Sequence, residues 1–178
     1  MENFKIRKAI GEDAAGVAAV KYYGWQDTYK GIINDAYLKS MNVDELQKSW
    51  RKILVPENTR STTDVMVNDA GEIIGFVSYG INFKGTLNAD AEILALYVLK
   101  KYHGRGIGAK LFLQGIRQLQ AAGVRSFYLY VLAQNPALYF YRKFNPDSEH
   151  TAQIQIGGND YEEVGLVWRD IQRTFPNK

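Results

Sequence analysis

The chain contains no cysteine, only two histidines and only four prolines. The first absence excludes disulfides, thiolate metal ligands and any catalytic route through an acyl-cysteine. His103 and His150 are too few for a histidine-based metal centre, so no metal is expected. No apolar run reaches bilayer-spanning length; even the apolar segment over 93–99 stops at Lys100. The opening MENFKIRKAIGED lacks the apolar stretch and cleavage site of a secretion signal, so a cytoplasmic protein without membrane contact is expected. The most informative absence is of negative charge. From residue 93 to residue 146 there is no Asp or Glu, while Lys100, Lys101, Arg105, Lys110, Arg117, Arg125, Arg142 and Lys143 all lie there. With a net charge of only +3 and no nucleic-acid motif, this stretch does not predict a nucleic-acid partner. It does offer a positive field to a small anionic ligand. Thirteen of the nineteen acids precede residue 93, an asymmetry compatible with a cationic second substrate.

What is present fits one domain, residues 1–178, since a chain 46% apolar and 23% charged buries a core of its own at this length. FKIRKAI alternates apolar and basic residues and predicts a first strand. GEDAAGVAAVKYYGW opens on acids suited to a helix start and continues at helical spacing. NDAYLKSMNVDELQKSWRKIL predicts a helix with an apolar stripe of Leu38, Met41, Leu46, Trp50 and Ile53, ended by Pro56. TTDVMVNDAGEIIGFVSYGI predicts two strands around the turn NDAG. A strand over 93–99 and a helix over 106–122, closed by Gly123, follow. SFYLYVLA is a further strand, NPALYFYRKF a short helix capped by Asn135, and TAQIQIGGNDYEEVGLVW a last hairpin around GGND. The order is that of a mixed α+β sheet.

The segment AEILALYVLKKYHGRGIGAKLF sets a glycine-punctuated basic turn between an apolar strand and a helix. Gly104, Gly106 and Gly108 are costly in conformational entropy at a helix start. They are accounted for if bare N–H groups must meet phosphate oxygens, aided by the helix dipole. A dinucleotide fingerprint fits Gly104, Gly106 and Ala109, but the acid expected about 20 residues downstream is missing until Asp147. A Walker-type loop fails because Leu111 follows Lys110. A structural turn that binds nothing is the bland alternative. The run HGRGIG resembles the [QR]-x-x-G-x-[GA] signature of the GNAT superfamily of N-acetyltransferases, with His103 where glutamine or arginine is usual. The opening IRKAIGEDAAGVAAV, the segment YLYVLAQNPALYFYRKF and the closing GGNDYEEVGLVWRDI are also similar to members of that family.

The resemblance implies a mostly antiparallel sheet of roughly six or seven strands, flanked by about four helices and splayed between its two central strands. It implies an acetyl-CoA-dependent N-acetyltransferase acting directly on a primary amine of a small molecule or peptide, and leaves a homodimer open; the alternative is a coenzyme-binding sensor of the same fold without turnover. By the same resemblance, His103, Gly104, Arg105, Gly106, Ile107, Gly108 and Ala109 hold the pyrophosphate, and the backbone of Leu96, Tyr97 and Val98 holds the pantetheine arm and thioester. Asn135 adds a contact to the arm, beside its role as a cap. Glu92 is the only carboxylate on the strand EILALYVL and the candidate general base; it equally fits a strand-edge carboxylate, and Asp90 lies near enough to substitute. Tyr141 is the candidate acid for the leaving thiolate and a cofactor contact, with Tyr139 its competitor because the pair sits closer to Asn135 than is usual. Trp25, Tyr29 and Tyr37 fall where the family lines its acceptor pocket, and as aromatics they fit helix packing equally well.

Overall fold

The turn at NDAG closes because the Asn68 side chain accepts hydrogen bonds from the Ala70 and Glu72 N–H groups at 3.1 and 2.9 Å. Gly71 completes it at φ +79°. The computed structural model describes residues 3–55, 57, 60–82 and 85–176, so the helix stop expected at Pro56 lies outside the described residues. The turn joins β2 (Ser61–Val67) to β3 (Ile73–Ile81), part of one seven-stranded sheet. Its other strands are β1 (Lys5–Lys8), β4 (Ala91–Val98), β5 (Phe127–Leu132), β6 (Ser148–Ile156) and β7 (Asn159–Trp168). The spatial order is β1-β2-β3-β4-β5-β7-β6, and every pairing is antiparallel except β4 with β5. The architecture is the expected mixed α+β one.

Six helices flank the sheet among the described residues: α1 (Ala14–Tyr29), α2 (Asp35–Ser40), α3 (Val43–Ile53), α4 (Ile107–Ala121), α5 (Ala137–Arg142) and α6 (Ile171–Thr174). The single helix expected over NDAYLKSMNVDELQKSWRKIL is two. Met41 is extended, and Asn42 starts a new helix by accepting from the Asp44 and Glu45 N–H groups at 2.9 and 3.1 Å. An Asn side chain that can satisfy two orphan donors favours a cap over a helix interior. Ile53, at the end of α3, is 36% exposed and lies outside the buried stripe it was expected to join.

Each face of the sheet has its own core. On one, Leu111, Phe112, Ile116 and Leu119 of α4 pack on Val77, Ile93, Phe127, Leu129 and Leu166, and Trp168 stacks on Phe127 at 4.6 Å and 5°. On the other, Val17, Ala18 and Val20 of α1 and Trp50 of α3 cover Val65 and Phe76.

The seam between β4 and β5 positions everything that follows. Only two residue pairs join these strands, Ala91 with Phe127 and Glu92 with Tyr128. Beyond them β4 bulges: Tyr79 pairs with Ile93 and Ser78 with Ala95, leaving Leu94 unmatched and 49% exposed. A bulge bends its strand and ends pairing locally, and the sheet opens here as a wedge.

Candidate active site

Backbone alternation decides what the wedge exposes. The Leu99 N–H donates to the Ile74 carbonyl across β3 at 2.9 Å. In an antiparallel pair, neighbouring residues turn their polar groups to opposite sides. Leu96 and Val98 therefore direct their N–H and C=O groups away from β3, into the opening. One of these groups is engaged: the His103 Nε2 lies 2.9 Å from the Val98 carbonyl oxygen.

The opening is a cleft of about 680 Å³. Its walls come from β4, from the turn at 103–109, from β5 and from Asn135 to Tyr141, with the end of α1 across the top. The turn takes the form that its glycines permit. Gly104 and Gly106 stand at φ +76° and +74°, a region where a side chain strains the backbone, and a Cβ at either would meet open space. Gly108 has no such backbone demand, and a Cβ there would meet only Phe140 at 3.9 Å. α4 begins at Ile107, and its first intrahelical bond beside the turn runs from the Lys110 N–H to the Gly106 carbonyl at 3.1 Å. The N–H groups of residues 107–109 precede any intrahelical partner, at the positive end of a fifteen-residue helix. These features fit a diphosphate at the turn, with an attached arm along the open edge of β4.

Of the residues expected to hold the coenzyme, Leu96, Tyr97 and Val98 line the cleft on β4, and Asn135 and Tyr141 line it opposite. His103, Gly104, Gly106, Ile107, Gly108 and Ala109 line its end at the start of α4. Arg105 is not among the lining residues; its guanidinium lies over the Tyr102 ring at 5.3 Å. The basic stretch does not all face the cleft either. Lys100 lines it, 3.9 Å from Asp27, whereas Arg142 is bidentate to Glu149 at 2.8 and 2.7 Å. Asn135 caps the Ala137 N–H at 2.9 Å.

The two candidate acids separate cleanly. Tyr141 is buried, lines the cleft and packs on Phe112 at 5.5 Å. Burial, reinforced by nearby Tyr29, pushes its phenol pKa up. Tyr139 is 71% exposed and faces the Arg142 guanidinium instead. The two candidate bases also separate. Asp90 is committed to the start of β5, accepting from the Ser126 Oγ and N–H at 2.8 and 3.0 Å and from the Arg125 N–H at 3.3 Å. These bonds, the Ser126 side chain foremost, hold its carboxyl below the usual range. Glu92 is partly buried in the last β4–β5 pair, at the closed end of the wedge and outside the residues that line the cleft, and accepts the Tyr128 hydroxyl at 2.6 Å.

That hydroxyl belongs to a set that sequence reasoning missed. Tyr128 and Tyr130 of β5 and Glu163 of β7 stand with Glu92 on the face opposite α4. Burial, then proximity to Glu92, pushes the Glu163 carboxyl up. Burial, then Glu163 and Glu92, does the same to the Tyr130 phenol. Their alternation on SFYLYVLA and YEEVGLVW is visible in the sequence, but which strand lies beside β4 is not. The aromatic trio divides. Tyr29 lines the cleft, its phenol raised by burial against the tempering effect of Tyr97 and Asn135. Trp25 packs edge-on against Tyr29 at 4.8 Å and Tyr37 lies tilted against Trp25 at 6.1 Å, forming a wall behind it.

A family profile described as the acetyltransferase (GNAT) family matches residues 18–145. The chain is 32% identical over 177 residues to an uncharacterized N-acetyltransferase, YuaI, of Bacillus subtilis, covering 97% of this chain and 98% of that one. It is 29% identical over 147 residues to the spermidine N(1)-acetyltransferase of Thermoplasma acidophilum, covering 79% and 86%. Among solved structures, the PaiA N-acetyltransferase of Thermoplasma acidophilum in complex with coenzyme A superposes with a TM-score of 0.66 at 23% identity, over 91% of this chain and 98% of that one. YncA of Salmonella typhimurium with acetyl-CoA gives 0.68 at 17% identity, over 94% of each.

Proposed function

Because the chain belongs to the GNAT acetyltransferase family and is an acyltransferase, we propose that it moves an acetyl group from acetyl-coenzyme A directly to a primary amine of a small molecule or peptide. One observation carries the reading: a single cleft joins the glycine turn at the start of α4, the open edge of β4 and the buried hydroxyl of Tyr141. Bound acetyl-coenzyme A supplies an acyl carbonyl activated as a thioester, and a thiolate as leaving group. The chain's own groups do the rest. The amides of 107–109 hold the diphosphate, and the Leu96 and Val98 edge orients the arm. Glu92, steered by the Tyr128 hydroxyl, takes a proton from the substrate ammonium, and the free amine then attacks the thioester carbonyl. Tyr141 gives its proton to the departing sulfur. Burial pushes that phenol's pKa up, and the same apolar setting raises the basicity of the thiolate it must neutralise. Without cysteine, no acyl-cysteine intervenes.

Charge supports a cationic acceptor. Among the described residues, no ion pair engages Glu92 or Glu163. Two carboxylates without an ion-paired cation among the described residues suit a substrate that brings one. A short polyamine is the first acceptor to test, in keeping with the relative named for spermidine. The test is thiol release from acetyl-CoA against a panel of polyamines, amino sugars and peptide amines. Turnover is expected with at least one cationic amine, falling about 100-fold in Glu92→Gln while acetyl-CoA binding stays within about 2-fold. Coenzyme binding without thiol release from any amine would overturn the reading.

A further inference from the structure

The open edge of β4 is not wholly open. His103 reaches back five residues and sets its Nε2 at 2.9 Å from the Val98 carbonyl oxygen. A carbonyl only accepts, so the ring nitrogen donates, and the neutral ring carries its proton on Nε2. The reach is possible because the chain reverses between the two residues. The Tyr102 N–H donates to Leu99 O at 2.9 Å and the His103 N–H to Lys100 O at 3.0 Å, a tight turn that brings the ring beside the strand end. Gly104 follows immediately at φ +76°. The imidazole thus spans the two structures that would grip opposite ends of the coenzyme, the diphosphate turn and the thioester strand.

We propose that His103 is a positioning residue that latches the diphosphate turn to the end of β4 through the Val98 carbonyl, fixing the distance between the phosphate grip and the strand that registers the pantetheine arm. This rests on the coenzyme reading above and goes beyond it in two respects. The ring occupies one of the two acceptor sites of the Val98 carbonyl, leaving the Val98 N–H and the Leu96 groups as the wholly free partners for the arm. And His103 contributes through span rather than by touching phosphate, so it matters only to ligands that bridge both ends.

That distinction is measurable by calorimetric titration of the full chain with two ligands: coenzyme A, which bridges, and adenosine 3′-phosphate 5′-diphosphate, which ends at the phosphates. In His103→Ala the Kd for coenzyme A is expected to rise about 5-fold, the size of one lost hydrogen bond, while that for the nucleotide stays within about 2-fold. His103→Gln, whose amide nitrogen can donate to the same carbonyl, is expected to recover most of the loss. Independently of any variant, the ¹⁵N spectrum of the neutral ring is expected to show the Nε2–H tautomer. Equal losses for both ligands, which would mark a direct phosphate contact, no loss for coenzyme A, or an Nδ1–H tautomer would each overturn the latch. Should the unmodified protein bind neither ligand, the coenzyme reading itself fails, a result separable from all of these.

Discussion

Two tyrosines two positions apart on α5 face opposite ways, and the physical reason is the helix itself. Successive side chains step about 100° around its axis, so Tyr141 turns into the cleft while Tyr139 turns to solvent. Tyr141→Phe is expected to lower kcat by about 10- to 100-fold, with coenzyme binding retained; Tyr139→Phe is expected to leave kcat unchanged. Steady-state thiol release on both variants checks the pair, and equal effects would remove Tyr141 from its role. At this scale the sequence was readable where chemistry is local. Glu92 stands out on an apolar strand, and the glycines announce their turn. Tyr128, Tyr130 and Glu163 did not stand out, because their significance comes from strands that are remote in the chain and adjacent only in the sheet. The bond from His103 to Val98 was equally hidden, since no spacing rule tells a ring that contacts phosphate from one that folds back on its own strand.

Among the elements, α4 and the turn before it divide the work of three glycines. Gly106 is demanded by a left-handed backbone and Gly108 is not. Gly106→Ala is therefore expected to lower stability by about 1 kcal/mol. Gly108→Ala has ordinary contact distances for its new methyl and should leave the melting temperature unchanged or raised. Acetyl-CoA should nonetheless bind Gly108→Ala more weakly, because in the proposed binding mode the methyl would sit where bare backbone meets the diphosphate. Thermal melts alongside coenzyme titration separate the two effects. Element identities were legible from alternation, from helical spacing and from turns such as NDAG and GGND. The break at Met41 and Asn42 was not, because the apolar stripe runs on in register across it and only the Asn42 cap distinguishes two helices from one. The short C-terminal α6, capped by Asp170, also carried too little pattern to be seen.

For the molecule as a whole, the sheet is two antiparallel blocks, β1 to β4 and β5 to β6, hinged on two residue pairs and backed by α4. The order of elements predicted a mixed sheet and the family resemblance a parting between its central strands; what an unbroken apolar strand conceals is that Leu94 is the residue that bulges there. Far from that seam, the β6–β7 turn leans on the other end of the site. Gly157 stands at φ +58°, and a Cβ there would come within 2.6 Å of Tyr37 Cδ2. Gly158, at φ +82°, has nothing near it. Gly157→Ala is expected to lower stability by about 1 to 3 kcal/mol more than Gly158→Ala and to change KM for the amine more than KM for acetyl-CoA. Matched melts and kinetics on the two alanine variants test this.

The hairpin tip is thus a remote brace. The Asn34 N–H donates to the Tyr161 hydroxyl at 2.8 Å, so the start of α2, which bears Tyr37, is pinned to β7 as well as propped by Gly157. The parts that would grip the donor are confined to one stretch of chain, whereas the scaffold under the aromatic wall comes from both termini. Substitutions in the last hairpin could then retune which amines are accepted while leaving the donor half undisturbed, giving the two substrates separate routes to diversify.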